Sequence, residues 1–264
     1  MRFVKLLGFF GAACVLAGCH HKAPAKVSLT PFSATPKMID SMWNRALDLY
    51  ARHKWDEAAT TFDRVELELA PSDRRVLLGR LYLGELYVHS GSYLQGVREF
   101  RRLVDEFPTD SLAPEALLGA GNAYRGLWRS PDLDPTYGLN AQSVYAELLS
   151  RYPTAPAAEK AKVQIEGLND WFARKAYKDA TFYVKYKAYE SAIMYLKALV
   201  VDYPRAPIVP TALSDLILVY RKLGYAEDIK DKCAYMRRDW SATPQFAKAC
   251  PELLPAAGEK PAGS

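Results

Sequence analysis

Residues 96–108 read GVREFRRLVDEFP, and this stretch determines the fold that we predict for the chain. Gly96 is followed four residues later by Phe100 and twelve residues later by Pro108. A glycine lets two helix backbones approach closely, and a large side chain one turn away fills the space beside the crossing. Proline ends a helix because it cannot continue the hydrogen-bond ladder. The stretch therefore predicts the second helix of a closely packed helical hairpin.

The same spacing recurs along the chain. Small residues with a bulky partner four positions later are Ala58 and Phe62, Gly96 and Phe100, Ala141 and Tyr145, and Ala192 and Leu196. The prolines that follow are Pro71, Pro108, Pro153 and Pro204, twelve residues on in three copies and thirteen in the first. Upstream, a small residue precedes a tyrosine by three or four positions at Ala46 and Tyr50, Gly84 and Tyr87, Gly121 and Tyr124, and Ala180 and Tyr183. Four copies in register indicate an internal repeat.

This repeat resembles the tetratricopeptide repeat, a helix–turn–helix unit of 34 residues. Apolar residues recur at three- and four-residue spacing from residue 37 almost to residue 240, and alternating strand-like runs are scarce. A fifth, weaker unit runs from Val209 to about Asp239, with Tyr220 at the aromatic position. The predicted fold class is all-α, an α-solenoid of about five tetratricopeptide-like helix pairs.

Two irregularities interrupt the repeat. The interval from Gly121 to Ala141 is 20 residues, where the other units show 12, so we expect a long loop around residues 128–135. Residues 157–185 contain no proline and a single glycine, Gly167. They predict one long helix that joins two halves of the molecule.

The N-terminal segment is predicted to be a targeting signal rather than part of the folded domain. Residues 1–18 carry two basic residues, a run of eleven mostly apolar residues and a small-residue end, which is the layout of a secretory signal. The apolar run is too short to span a bilayer. Residues 16–19 read LAGC and resemble a bacterial lipobox, which implies cleavage before Cys19 and lipidation of Cys19. An ordinary signal peptide with a chance cysteine is the alternative.

The predicted organisation has five parts. They are a lipoprotein signal peptide at 1–18, a lipidated N-terminus and flexible tether at 19–36, N-terminal repeats one to three at 37–153, C-terminal repeats four and five led by the long helix at 154–250, and a disordered tail at 251–264. Thr35 and Pro36 favour a helix start, with threonine as the N-cap and proline at the first helical position.

Composition and motifs favour a protein that is not an enzyme. Charged residues make up 25% and the net charge is +5, so a nucleic-acid partner is not indicated. The known nucleophile, zinc, phosphate and CxxC motifs are absent, and we expect no metal or cofactor. Four cysteines are too few for a disulfide scaffold. Cys233 and Cys250 could form one disulfide in an oxidising compartment or remain two thiols, and both alternatives stay open.

The whole arrangement resembles the BamD family, the lipoproteins of the outer-membrane β-barrel assembly machinery. The resemblance depends on the order of the elements: a lipobox, a tether and five repeats, with a long loop in the third repeat and a long helix in the fourth. The short sequences at 148–154, 201–204 and 215–222 also contribute to it. The resemblance implies an outer-membrane location on the periplasmic face. It also implies docking of the C-terminal repeats on the β-barrel subunit BamA, membership of a complex with other assembly subunits, and reception of unfolded outer-membrane proteins by the N-terminal repeats.

Register within the first helices of the repeats gives candidate binding residues. For the substrate-peptide groove they are Trp43, Tyr50, Glu85, His89, Asn122 and Arg125, and for partner docking they are Tyr220, Arg221 and Lys222. Each could instead be an ordinary packing or solvent-facing position. Two other functions remain open: a tetratricopeptide envelope scaffold for cell-wall or division machinery, and an envelope enzyme with a solenoid body, against which the missing catalytic motifs argue.

Overall fold

A computed structural model describes residues 34–254, so the predicted signal peptide, Cys19, nearly all of the tether, and residues 255–264 lie outside the described residues. The described chain is helical, without strands. Its α-helices are α1 Pro36–Ala51, α2 Trp55–Glu68, α3 Arg74–His89, α4 Tyr93–Glu106, α5 Ala113–Leu127, α6 Thr136–Arg151, α7 Pro156–Lys185, α8 Tyr189–Asp202, α9 Val209–Leu223, α10 Ala226–Trp240 and α11 Pro244–Ala249, followed by a 3₁₀ turn at Pro251–Leu253. No helix of this part is long and apolar enough to cross a membrane.

The helices form five consecutive antiparallel pairs, from α1 with α2 to α9 with α10. In each pair we call the first member the A helix and the second the B helix. The α-solenoid of tetratricopeptide-like pairs is confirmed. The first helix begins as expected, because the Thr35 side chain accepts a hydrogen bond from the Met38 amide at 3.4 Å and Pro36 opens the helix.

The predicted close crossings of A and B helices are present. A Cβ atom added to Gly84 would lie 2.5 Å from the Phe100 ring, so only glycine fits there. Gly121 faces the ring of Tyr145 in the same way. The small and bulky residues of the repeat therefore meet across the second and third pairs, as their spacing predicts.

The loop after α5 and the long helix α7 are packed against one another. Trp128 begins the loop, but only 2% of its surface is exposed, and its ring lies 4.8 Å from that of Phe172 and 5.3 Å from that of Trp171. The N-terminal part of α7 lies in one core cluster with α5 and α6, and its C-terminal part lies in another with α8 and α9. With 30 residues, α7 is about 45 Å long and connects the two cores.

The folded part of the chain continues past residue 250. Residues 251–253 form the 3₁₀ turn, and Glu252 pairs with Arg221 at 2.7 Å. The predicted boundary of the disordered tail at 251 is therefore wrong. The sequence suggested disorder because proline and small residues dominate this stretch, whereas a tertiary ion pair holds its beginning.

Candidate functional site

A groove of about 390 Å³ runs across the A helices of the first three pairs. Its polar lining comes from α1, α3 and α5, and its floor is mostly apolar. The lining residues are Tyr50, Leu81, Glu85, Val88, His89, Phe100, Glu115, Leu118, Gly119 and Asn122. We call this surface the A-helix groove. It brings together four of the six residues predicted for peptide binding.

Tyr50 and Glu85 connect the first two repeats inside the groove. The Tyr50 hydroxyl donates a hydrogen bond to the Glu85 carboxylate at 2.7 Å. Burial, and then this hydrogen bond to an anion, raise the pKa of the Tyr50 hydroxyl. Tyr50 therefore stays a neutral donor, and it fixes one oxygen of Glu85 while other lone pairs of the carboxylate remain able to accept.

Asn122 and Glu115 form the third-repeat end of the groove. Asn122 Oδ1 accepts a hydrogen bond from the Tyr145 hydroxyl at 2.7 Å, which leaves the amide nitrogen of Asn122 as a donor. Burial raises the pKa of Tyr145, so this hydroxyl also stays protonated. Glu115 lies 3.3 Å from the ammonium group of Lys160. Glu115 was not predicted from the sequence, although it lies seven residues, or two helical turns, before Asn122 on the same face of α5.

His89 lies at the edge of the groove. Its ring stacks on Trp55 at 4.6 Å with an interplanar angle of 13°, and Trp55 in turn lies 5.9 Å from the Tyr50 ring. An aromatic cluster therefore supports this edge. Such rigid rings offer contact area at low cost in conformational entropy.

Two predicted groove residues lie elsewhere. Trp43 packs edge-on against Phe62 at 5.2 Å and against Tyr82 at 6.3 Å, so it belongs to the core of the first two pairs and does not line the groove. Arg125 is exposed on α5 and faces Gly167 of α7 rather than the groove. Repeat register placed both residues on A helices, but it did not show which neighbouring element would cover them.

The predicted docking residues on α9 need a similar correction. Tyr220 is only 2% exposed, because it continues the buried face of Leu213 and Leu216. The Arg221 guanidinium donates to the Ala249 carbonyl at 2.8 and 3.0 Å and to the Glu252 carboxylate at 2.7 Å. Lys222 is exposed and, unlike Arg221, donates no hydrogen bond to residues 249–252.

The C-terminal residues are fixed to α9 and α10. Cys233 of α10 and Cys250 form a disulfide, with their Cα atoms 5.8 Å apart. This pairing resolves the alternative that the sequence left open. Although burial opposes it, hydrogen bonds from the backbone and from Arg221 lower the pKa of Glu252. The disulfide and Arg221 together hold α11 and the 3₁₀ turn as a cap on the last pair.

Comparison with known proteins identifies the family. The family model described as "YfiO: Outer membrane lipoprotein" matches residues 39–235. The chain belongs to this family. Its similarity to Outer membrane protein assembly factor BamD of Caulobacter vibrioides is 24% identity, over 83% of this chain and 70% of that protein. Similarity to BamD of Xylella fastidiosa strain Temecula1 is 25% identity, over 99% of this chain and 93% of that protein.

Solved structures of tetratricopeptide proteins are also similar to the chain. The TPR2AB domain of yeast Sti1, solved in complex with pHSP90, is 16% identical over 80% of this chain and 81% of that chain, with a TM-score of 0.42. A thermophilic tetratricopeptide protein of Thermus thermophilus is 19% identical over 82% of this chain and 100% of that chain, with a TM-score of 0.36.

The resemblance to the BamD family is confirmed by the family match and by these relatives. They support a role as an outer-membrane assembly factor and an association with the outer membrane. Assembly factors and tetratricopeptide folds are non-enzymatic kinds of protein.

Proposed function

We propose that the chain is a lipid-anchored subunit of the outer-membrane β-barrel assembly complex, held by Cys19 on the periplasmic face of the outer membrane. Three kinds of support converge: the family match, relatives named assembly factor BamD, and the lipobox-like residues 16–19. The subunit acts by binding, with no catalytic step and no cofactor. It aids the folding and insertion of outer-membrane proteins.

The A-helix groove receives extended segments of unfolded outer-membrane proteins. The observation that carries this proposal is the continuous lining of the groove by three successive A helices, with hydrogen-bonding groups above an apolar floor. An extended peptide presents backbone amides and carbonyls together with alternating side chains. Glu85 and Glu115 can accept from its amides, the Asn122 amide nitrogen can donate to a carbonyl, and the floor around Phe100 can take apolar side chains.

Preformed geometry favours binding in this groove. Tyr50 holds Glu85, and Tyr145 holds Asn122, so less side-chain freedom is lost when a peptide binds. Tyr145 packs on Gly121 at a helix crossing. Tyr50 packs against the rings of Trp55 and Tyr82 on the neighbouring helices. The packing that stabilises the fold therefore also orients the binding groups.

The C-terminal repeats dock on the barrel subunit BamA. The rigid cap formed by the disulfide and Arg221 supports this assignment, because it keeps α9 and α10 in a fixed geometry. Lys222 remains available at the end of α9 as a predicted contact.

The first experiment is affinity purification of the tagged, full-length lipoprotein from mildly solubilised membranes, with mass spectrometry of the proteins that accompany it. We expect a stoichiometric large β-barrel protein with periplasmic repeat domains. Cell-wall or division proteins, in the absence of such a barrel, would overturn the proposal and favour the envelope-scaffold alternative.

A second experiment tests the groove. The purified chain is titrated with a synthetic peptide taken from the C-terminal strand of an outer-membrane protein. Glu85→Ala and Asn122→Ala should each weaken binding by roughly fivefold, because one hydrogen bond is worth about 1 kcal/mol. Glu227→Ala, an exposed change on α10, is the matched control and should leave binding unchanged. Equal affinities for all four proteins would contradict the groove assignment.

A further inference from the structure

A second groove, of about 350 Å³, lies between the B helices α8 and α10 above α9. It is lined by Lys197, Val200, Val201, Pro204, Leu213, Leu216, Lys232 and Tyr235, and we call it the C-terminal B groove. Its floor is made by the aliphatic side chains of α9, and its basic groups lie on the two flanking helices. None of these residues belongs to the A-helix groove.

The first two repeats contain an equivalent groove, of about 510 Å³, which we call the N-terminal B groove. The prolines that follow α2 and α8 are Pro71 and Pro204, and this offset of 133 positions relates the two grooves. Equivalent lining residues are Leu67 and Val200, Pro71 and Pro204, Arg80 and Leu213, and Arg102 and Tyr235. The two grooves therefore occupy the same place in the repeat.

Charge distinguishes the grooves. In the N-terminal B groove, Arg80 pairs with Glu66 at 3.0 Å and also with Glu106, so the charges satisfy one another. In the C-terminal B groove, Lys197 and Lys232 take part in no ion pair among residues 34–254. A third cation, the guanidinium of Arg238, lies 4.9 Å from the centre of the Tyr235 ring. The apolar floor therefore has a basic rim whose charges remain unneutralised within the described chain.

The apolar surface continues beyond the groove along α8. Val201 is 75% exposed, and Met194, two turns earlier on the same helix, is 60% exposed. The separation of seven positions from Met194 to Val201 corresponds to about 10 Å along α8, with Lys197 between them on the same side of the helix. A surface of that length fits a polypeptide segment better than a small molecule, and exposed apolar patches rimmed by polar groups are typical of protein interaction sites.

We propose that the C-terminal B groove binds an amphipathic segment of the protein that docks on the C-terminal repeats. Apolar side chains of the segment fill the groove, and its carboxylates pair with Lys197 and Lys232. This inference rests on the proposed function, in which the C-terminal repeats dock on the β-barrel subunit. It adds which surface of these repeats binds the partner and by which chemistry. The disulfide of Cys233, the residue next to Lys232, keeps the α10 wall in place before the partner arrives.

The binding chemistry is tested with the full-length chain and a synthetic amphipathic helix that carries leucines on one face and glutamates beside them. Val201→Glu and Lys232→Glu should each weaken binding at least tenfold, because each places a carboxylate where the probe carries its own. Leu67→Glu is the matched control: Leu67 lines the N-terminal B groove, is 86% exposed, and should tolerate the change without effect on probe binding. Equal weakening by Leu67→Glu, or equal binding of a probe with lysines in place of glutamates, would overturn the proposal.

Membrane purification of the same variants separates this inference from the proposed function. If the wild-type chain retains the β-barrel subunit and the double variant Val201→Glu/Lys232→Glu loses it, while Leu67→Glu retains it, the groove is the docking surface. Undiminished retention by the double variant would refute the groove and leave the proposed function standing. If the wild-type chain retains no barrel subunit, the proposed function fails, whereas the peptide titration still decides the groove.

A second copy of this chain is the remaining candidate for the groove, and the mass of the purified chain in solution tests whether it binds there. A monomer at all concentrations used in the titration supports a foreign segment. A dimer that Val201→Glu dissociates would assign the groove to a second copy of this chain and overturn the proposal.

Discussion

The N-terminal and C-terminal B grooves are formed by the same backbone arrangement, yet they differ in chemistry. Arg80 lies at the first groove with its charge paired to Glu66 and Glu106, and Leu213 lies at the equivalent position of the second. The repeat fixes where a groove forms, because α-helix pairs stack at a regular offset. A few side chains then decide whether that groove is used for internal ion pairs or is left apolar for a partner.

The two B grooves should also differ in how changes of charge affect the stability of the fold. A buried ion pair contributes little net stability relative to well-packed apolar residues, but loss of one partner is costly because a charge is left without compensation. The N-terminal B groove should therefore be sensitive to single charge changes. The C-terminal B groove should be sensitive to the introduction of any charge at its floor.

The largest effect is expected from Leu213→Arg, which introduces into the C-terminal B groove the arginine that the N-terminal B groove has at the equivalent position, Arg80. Leu213 is fully buried, and its neighbour at the position of Glu66 is Leu199. A guanidinium there lacks the counterpart of Glu66 and has only Asp239, at the exposed position of Glu106, as an equivalent acid. The change should lower the free energy of unfolding by more than about 4 kcal/mol. Urea unfolding followed by circular dichroism measures the change. Addition of Leu199→Glu should recover part of the loss, and no recovery would show that the grooves are not equivalent.

Arg80→Leu is the reciprocal change and should cost about 3 kcal/mol, because Glu66, whose side chain is only 18% exposed, loses its partner at 3.0 Å and keeps only Arg102 at 3.8 Å. The same urea titration provides the measurement. The double variant Arg80→Leu/Glu66→Leu should be more stable than Arg80→Leu alone, since the half-buried carboxylate that Arg102 pairs only at 3.8 Å is gone. A double variant that is less stable than the single one would contradict this explanation.

A smaller effect, about 2 kcal/mol, is expected from Cys233→Ser/Cys250→Ser. The disulfide joins residues 17 positions apart and limits the freedom of the unfolded chain. Unfolding of the wild-type chain with and without reductant provides the comparison, and the double serine variant should be insensitive to reductant. The N-terminal pairs contain no cysteine among their described residues, so their stability should not respond to reductant.

The smallest effect concerns acid. Burial opposes ionisation of Glu106, but hydrogen bonds from Arg80 and Arg102 prevail and lower its pKa in the folded state below the ordinary 4.5. A lowered folded pKa gives stability that is present above the unfolded pKa and is lost as pH falls through the folded pKa. Stability measured from about pH 6 to about pH 3 should therefore fall. Arg80→Leu should show a smaller decrease, and an unchanged pH dependence would exclude Arg80 as the cause.

Part of the candidate site was predictable from the repeat register. The register placed Tyr50, Glu85, His89 and Asn122 on A helices, and the structure brings all four to one groove. Glu115 was predictable in principle, because a shift of seven residues from Asn122 keeps the same face of α5. Trp43 and Tyr220 could not be assigned from register alone, because a tyrosine or tryptophan on an A helix suits both a groove and a core.

The amino-acid sequence by itself determined the helical hairpins, their close crossings and the start of α1, because each depends on residues near one another in the chain whose sizes and backbone preferences act locally. Only the tertiary structure decided that Trp128 is buried against α7, that Arg221 holds residues 249–252 and that Cys233 pairs with Cys250. It also decided that one B groove contains internal ion pairs, while the other has an apolar floor and unpaired lysines at its rim. These features depend on which side chains meet after the pairs have stacked, and that outcome is set by packing between helices rather than by the pattern within any one of them.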